Sequence, residues 1–305
     1  MSFLKKIQTG LASLFSNPVF INDIKIKQRK SSKVKLKLPD FTGYLVILMI
    51  PAAVGAIAES TNSSTFYAAF KSGFIAMCFL QVLVYCYRAA AYSSDAIAGE
   101  RERRTFESLA VTVMSPLEIA KGKFWTTFFP LAREVTMLLP VFALIGVLAG
   151  VNWLTITLMY LLTLADIAFF AAVGLFHSSK AFSAMSARSG SMGTLFLLTI
   201  GMYLFGGMAT GFIFAAFSIY GGQYMNMVPM VINMIISSVN PLSTVWSVIF
   251  MEMMNRNAIP DFPGPFMFIK YMQYIQPVCA FVFYYLIGIR LFRTSVDNIG
   301  NIATR

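Results

Sequence analysis

The sequence predicts an all-α polytopic membrane protein. Hydrophobic residues make up 57% of the 305 residues and charged residues only 12%, whereas a soluble domain carries about 25% charged residues. The mean hydropathy is +0.70, and the apolar residues are gathered into segments long enough to cross a bilayer, which takes about 20 residues. Lipid, rather than a water-surrounded core, is therefore the expected solvent for most of the chain.

The N-terminal segment 1–40 is predicted to lie on the cytoplasmic side of the membrane. Apolar residues recur at helical spacing within 2–15, and basic and polar residues occupy most of the other positions. This pattern is typical of an amphipathic helix in the membrane interface. Asn17-Pro18 is predicted to begin the next helix, as a cap followed by a first-turn proline.

The next segment, 41–293, is predicted to form a single transmembrane domain, followed by a cytoplasmic tail over 294–305. Residues 228–251 are apolar but interrupted by Asn240-Pro241, and we expect a re-entrant or interfacial hairpin on the outer face, before the last span. The six predicted spans cover 43–59, 66–92, 124–150, 153–176, 192–217 and 271–292.

Basic residues indicate the orientation of the spans. With the N-terminus inside, the inner segments hold 20 of the 24 Lys and Arg residues and the outer segments hold three. Such a bias is typical of cytoplasmic loops. The sequence therefore predicts a multi-pass protein of the cell (inner or plasma) membrane with both termini in the cytoplasm.

The inner loop 95–121 is the segment richest in charges of both signs. It contains Glu100-Arg101-Glu102, then Arg104-Thr105-Phe106-Glu107, then Leu109. One interpretation is a solvated loop with internal ion pairs, such as Glu100 with Arg104. The other is a rigid element that docks into a cytoplasmic partner.

The same loop resembles the signature of ABC type-2 transporter permeases. Matching residues are Glu100, Arg101, Glu102, Thr105, Glu107, Pro116, Gly122 and Lys123. Arg104 stands where that family usually has glycine, and Ser115 precedes the proline where threonine is common. Weaker similarities at Asn17-Pro18-Val19, at 174–191, at Asn240-Pro241-Leu242 and at 290–293 extend the resemblance over nearly the whole chain.

The resemblance implies that the loop is a coupling helix seated in a cleft of a separate ATPase chain. Charged residues would set its orientation, while Phe106 or Leu109 would be an apolar anchor. ATP and Mg²⁺ would then be used by the partner, and this chain would bind no cofactor. Its only Gly-Lys, Gly122-Lys123, is followed by Phe124, and Leu117 occupies the position of the first Walker glycine.

Ionisable residues within the predicted spans have two interpretations. Arg133 and Glu134 lie in the third span and Asp166 in the fourth. They either line a translocation pathway or form an internal pair, such as Asp166 with Arg133, that fixes packing. Gly207 and Gly211 allow close helix approach, either within one subunit or at a dimer axis.

The function that these observations favour is the permease subunit of an ATP-driven exporter. Its expected partners are a cytoplasmic ATPase, a second permease copy or a similar permease, and lipid, with no nucleic acid. A non-transporting membrane anchor for an ATPase and a membrane-embedded enzyme stay open as alternatives. A single histidine and the lack of a nucleophile with a reachable base disfavour the enzyme, and neither catalytic nor metal-binding residues are predicted.

Overall fold

The structure is a computed structural model that describes residues 17–33, 63–106, 114–204, 208, 211–212, 235–255 and 267–303. Every regular element in these ranges is helical. The helices are α1 Pro18–Lys33, α2 Ser63–Ser94, α3 Ala98–Glu102, α4 Pro116–Leu148, α5 Trp153–Lys180, α6 Ala184–Phe196, α7 Pro241–Asn255 and α8 Met267–Ala303. A π-helical turn, Leu197–Gly201, continues α6.

Within the described residues, four helices are long and apolar enough to cross a membrane: α2, α4, α5 and α8. They correspond to the second, third, fourth and last predicted spans. The predicted first span, 43–59, lies outside the described residues, and the predicted fifth span, 192–217, is described continuously only as far as residue 204. In 228–251 a short helical turn ends before Asn240, and α7 begins at Pro241.

Two of the predicted boundaries differ from the observed helices. Helix α4 begins at Pro116 rather than near 124, because Ser115 and Glu118 form a capping box around its first turn. Helix α8 continues to Ala303, so most of the predicted tail 294–305 is helical. Ser295 and Ile299 of this extension are buried. The predicted coupling loop 95–121 is therefore shorter, and its last residues belong to α4.

A tight connection joins α4 to α5. Gly150 has a φ of 67°, a left-handed conformation that favours glycine at the end of a helix. The Val151 amide donates to the Gly146 carbonyl over 2.7 Å. Asn152 then caps α5 by accepting a hydrogen bond from the Leu154 amide, so the two helices form an antiparallel pair.

Helix α5 is the central helix of the described bundle. It contacts α2, α4, α6, α7 and α8, and most of its apolar stretch is buried, whereas α4 and α8 leave much of theirs exposed. A second apolar cluster joins the helix ends and contains Ile97, Phe106, Ile119, Ala120, Leu175 and Ile299. We call the end of the bundle that surrounds this cluster the charged end, because the loop 95–106 lies there.

Candidate docking site at the charged end

The start of α3 is fixed to the end of α5. The amides of Ile97 and Ala98 both donate to the hydroxyl of Ser178, each over 2.9 Å. Ser178 is fully buried, and a buried hydroxyl that satisfies two helix N-terminal amides is a stable anchor for them. The charged loop is thus held in place rather than solvated along its whole length.

Arg101 and Glu102 join α3 to the connection between α5 and α6. The Arg101 guanidinium donates to the Ala181 carbonyl over 2.8 Å and lies 4.4 Å from the centre of the Phe182 ring. The Glu102 carboxylate accepts a hydrogen bond from the Ala184 amide at the start of α6. Both residues therefore bind within the chain, although Glu102 is also exposed.

Glu100 pairs with Lys123 and not, as one interpretation of the sequence had it, with Arg104. The Lys123 ammonium contacts both the Glu100 carboxylate and, over 2.7 Å, the Asp23 carboxylate. Lys123 is only 4% exposed. One buried cation therefore links α1, α3 and α4, because its two acidic partners come from different helices.

Gly122 explains how α1 comes close enough to reach Lys123. A Cβ atom at Gly122 would lie 3.0 Å from Val19 Cβ and 3.2 Å from the Asn17 side-chain oxygen. Asn17 also donates to the Glu118 carbonyl and caps α1 by accepting from the Val19 amide, which confirms the predicted cap. Gly122 and Lys123 thus have local structural roles: Gly122 leaves room for α1, and Lys123 binds α1 through Asp23.

Arg104 occupies a left-handed backbone position, with a φ of 57°. A left-handed conformation costs a residue with a side chain about 1–2 kcal/mol. The turn is nonetheless closed, because the Thr105 amide donates to the Glu100 carbonyl over 2.9 Å.

Replacing Arg104 by glycine should therefore stabilise the turn. We expect the free energy of unfolding to rise by about 0.5–1 kcal/mol, because the left-handed strain is relieved while glycine adds some entropy to the unfolded chain. Thermal unfolding in detergent measures the change. Arg104→Ala is the control, since it also removes the charge but keeps the strain. Equal unfolding temperatures for the two variants would contradict the argument.

Phe106 is placed differently from its predicted role as a docking anchor. It is 3% exposed and belongs to the apolar cluster of the charged end. Its side chain thus stabilises the chain itself. Thr105 is exposed, while Glu107 and Leu109 lie outside the described residues.

The two most exposed apolar side chains at this end lie elsewhere: Phe182 in the connection between α5 and α6, and Met185 in the first turn of α6. Phe182 is 78% exposed and Met185 is 84% exposed. Both adjoin the residues that α3 holds, since Arg101 contacts the Phe182 ring and Glu102 binds the Ala184 amide. We call Arg101, Glu102, Phe182 and Met185 the docking patch. Its two apolar members were not predicted from the sequence, although their location just after a span end was a usable signal.

The predicted intramembrane residues are not brought together as one group. Glu134 forms a bidentate ion pair with Arg88, in which the two guanidinium NH2 groups donate to the two carboxylate oxygens over 2.6 Å and 3.2 Å. Arg133 is exposed on α4. The suggested Asp166–Arg133 pair is wrong, because Asp166 is fully buried and neither of its carboxylate oxygens has a hydrogen-bond partner within the described part of the chain.

Two polar side chains lie near Asp166. They are Cys86 of α2 and Tyr284 of α8. A buried carboxyl group without a firm partner is costly, so Asp166 is a candidate for a functional role rather than for a stabilising one.

The predicted small-residue pair is only partly described. Gly211 is exposed, and a Cβ atom added there would meet no described residue within 4 Å. Gly207 lies outside the described residues.

Comparison with known proteins adds no family to this picture. No family model matches the chain, and no curated protein is significantly similar to it. The function proposed below therefore rests on the residues of the charged end.

Proposed function

We propose that this chain is the permease subunit of an ATP-driven ABC exporter and that a separate ATPase chain binds its docking patch. The observation that carries the proposal is the exposed pair Phe182 and Met185, held beside the charged residues Arg101 and Glu102. An apolar centre with a charged rim is the usual composition of a protein-binding surface. The rim residues belong to the same loop that resembles the permease signature.

The contacts of the charged end would let a movement of the partner reach the membrane-spanning helices. Helix α3 is bound to α5 through Ser178, to the start of α6 through Glu102 and to α4 through the Glu100–Lys123 pair. Since packed helices move as rigid elements, a push on α3 would be passed to three of them. In this proposal ATP hydrolysis occurs in the partner, and this chain binds the partner and transmits its movement to the membrane-spanning helices.

The first test is to purify the tagged chain from its native membrane in mild detergent and to identify co-purifying proteins by mass spectrometry. We expect a stoichiometric ATPase with a Walker motif. The double variant Phe182→Ser/Met185→Ser should lower its recovery about tenfold, since the loss of two central contacts exceeds about 1.4 kcal/mol. Asp297→Lys is the control, because Asp297 is an exposed charge on the α8 extension.

Three outcomes would count against the proposal. Recovery of the folded chain alone would contradict the expected ATPase partner. An ATPase whose hydrolysis in proteoliposomes responds to no substrate of the native membrane would indicate a non-transporting anchor instead. A loss of ATPase that is equal in Asp297→Lys and in the double variant would show that the docking patch is not the contact.

A further inference from the structure

A groove of about 420 Å³ lies between α4, α5 and α8, within the apolar part of the bundle. Its volume falls in the range of ligand cavities, about 300–1,000 Å³. Small residues of α5 create the space, since Ala165, Ala168 and Ala172 lie on one face at helical spacing, and Gly288 of α8 also lines it. Aromatic side chains, including Trp125 and Tyr285, form much of the remaining lining.

Among the described residues, Lys121 is the only charged one that lines this groove. It lies five residues after the start of α4, at the charged end, and is exposed. The acidic residue one turn earlier, Glu118, does not line the groove. One of its carboxylate oxygens accepts hydrogen bonds from the Ser115 amide and hydroxyl, and the carboxylate also attracts Lys121. The groove is thus apolar along its length and cationic at one mouth.

The length of the groove suits one leaflet of a bilayer. It extends along α8 from Phe281 to Phe292, which is about 16 Å at 1.5 Å per residue. Half of a hydrocarbon core is about 15 Å. Lys121 would accordingly lie at the depth of the lipid headgroups, where basic pockets between spans bind anionic headgroups.

We propose that this groove binds an anionic phospholipid, with one acyl chain between α4, α5 and α8 and the phosphate at Lys121. The inference goes beyond the proposed transport function and does not depend on it. An acyl chain matches the apolar lining, and the charge complementarity at Lys121 selects an anionic headgroup over a zwitterionic one. A helix of a partner protein would cover the groove without using this charge.

Fluorescence quenching of Trp125 tests the proposal on the purified chain. The chain has three tryptophans, and Trp153→Phe/Trp246→Phe leaves Trp125 as the only one. This variant is reconstituted into phosphatidylcholine vesicles that contain a minor fraction of phosphatidylglycerol, with bromine on the acyl chains of one lipid at a time. We expect brominated phosphatidylglycerol to quench Trp125 at a lower mole fraction than brominated phosphatidylcholine does.

Two variants test separately the charge of Lys121 and the space of the groove. Lys121→Gln should weaken the preference for phosphatidylglycerol about fivefold, since one basic residue near the headgroups contributes about 1 kcal/mol. Gly288→Leu should reduce quenching by both lipids, because its side chain fills the groove. A Cβ at Gly288 would lie 3.9 Å from the Phe169 ring, which is an ordinary van der Waals contact. Gly193→Leu is the control, since a Cβ there meets no atom of the described part of the chain within 4 Å.

The outcomes that would overturn the inference are distinct. Equal quenching by the two lipids would refute the anionic headgroup. Unchanged quenching in Gly288→Leu would show that lipid reaches Trp125 from outside the groove. No quenching by either lipid would mean that another copy of the chain or another segment covers it. If Gly288→Leu fails to fold, the Lys121→Gln comparison still decides.

Discussion

Gly174→Ala is expected to lose most of its folded protein, although alanine is normally the better helix residue. A Cβ atom at Gly174 would lie 2.7 Å from the Ala90 carbonyl oxygen, 2.8 Å from Ser93 Cβ and 3.0 Å from the Ser94 amide nitrogen. Two of these atoms belong to the backbone of α2, so no side-chain rotation can relieve the clash. The two helices would have to separate at this point.

The separation would break the bonds that hold α2 to its neighbours. The Ser93 hydroxyl donates to the Ala171 carbonyl over 2.6 Å, and the Ser191 hydroxyl of α6 donates to the Ala90 carbonyl over 3.2 Å. Small and hydroxyl residues are typical of close helix contacts in membranes. We expect a loss of about 3 kcal/mol or more, at the upper end of the range for overpacked sites.

Thermal unfolding and gel filtration in detergent measure this effect. Gly193→Ala is the matched control, because its added Cβ meets none of the described residues within 4 Å and the change alone should stabilise a helix by up to about 1 kcal/mol. Gly174→Ala should therefore lower the unfolding temperature, and Gly193→Ala should raise it. An unfolding temperature of Gly174→Ala at or above that of the unmodified chain would contradict the close approach.

The parts of the fold that were predictable from the sequence are those set by local patterns. Four of the apolar segments form helices that could span a membrane, because length and hydropathy decide that property residue by residue. The Asn17 cap was also predictable, since its hydrogen bond reaches only two residues along the chain. The start of α4 at Pro116 had an equally local signal, the Ser115–Glu118 capping box, which the hydropathy pattern concealed.

The candidate site was less predictable because its contacts join distant parts of the chain. Lys123 and Asp23 are 100 residues apart, and Glu102 binds an amide 82 residues away. A local charge pattern favours pairs such as Glu100 with Arg104, but the fold offers Glu100 a buried lysine instead. Burial reassigned Phe106 in the same way: an apolar residue in a charged loop is compatible with a docking anchor or with a core, and packing decides between them.

Lys123→Met is expected to cost about 3 kcal/mol, because removing one member of a buried ion pair leaves the remaining charges without compensation. Two carboxylates, Glu100 and Asp23, would lose their common partner. Since these pairs connect α1 and α3 to α4, we expect α1 and α3 to be destabilised more than the rest of the bundle. Amide exchange in α1 and α3 should accelerate more than exchange in the buried part of α5.

The control is the same substitution two residues earlier on the same helix. Lys121 is exposed, so Lys121→Met should change the stability by no more than about 0.5 kcal/mol. A double-mutant cycle gives the sharper test. In an Asp23→Asn/Glu100→Gln background, Lys123→Met should cost far less, because the acids that it would strand are already neutral. If Lys123→Met costs the same in both backgrounds, the lysine acts through its packing alone, and α1 is not held to the charged end by its ion pairs.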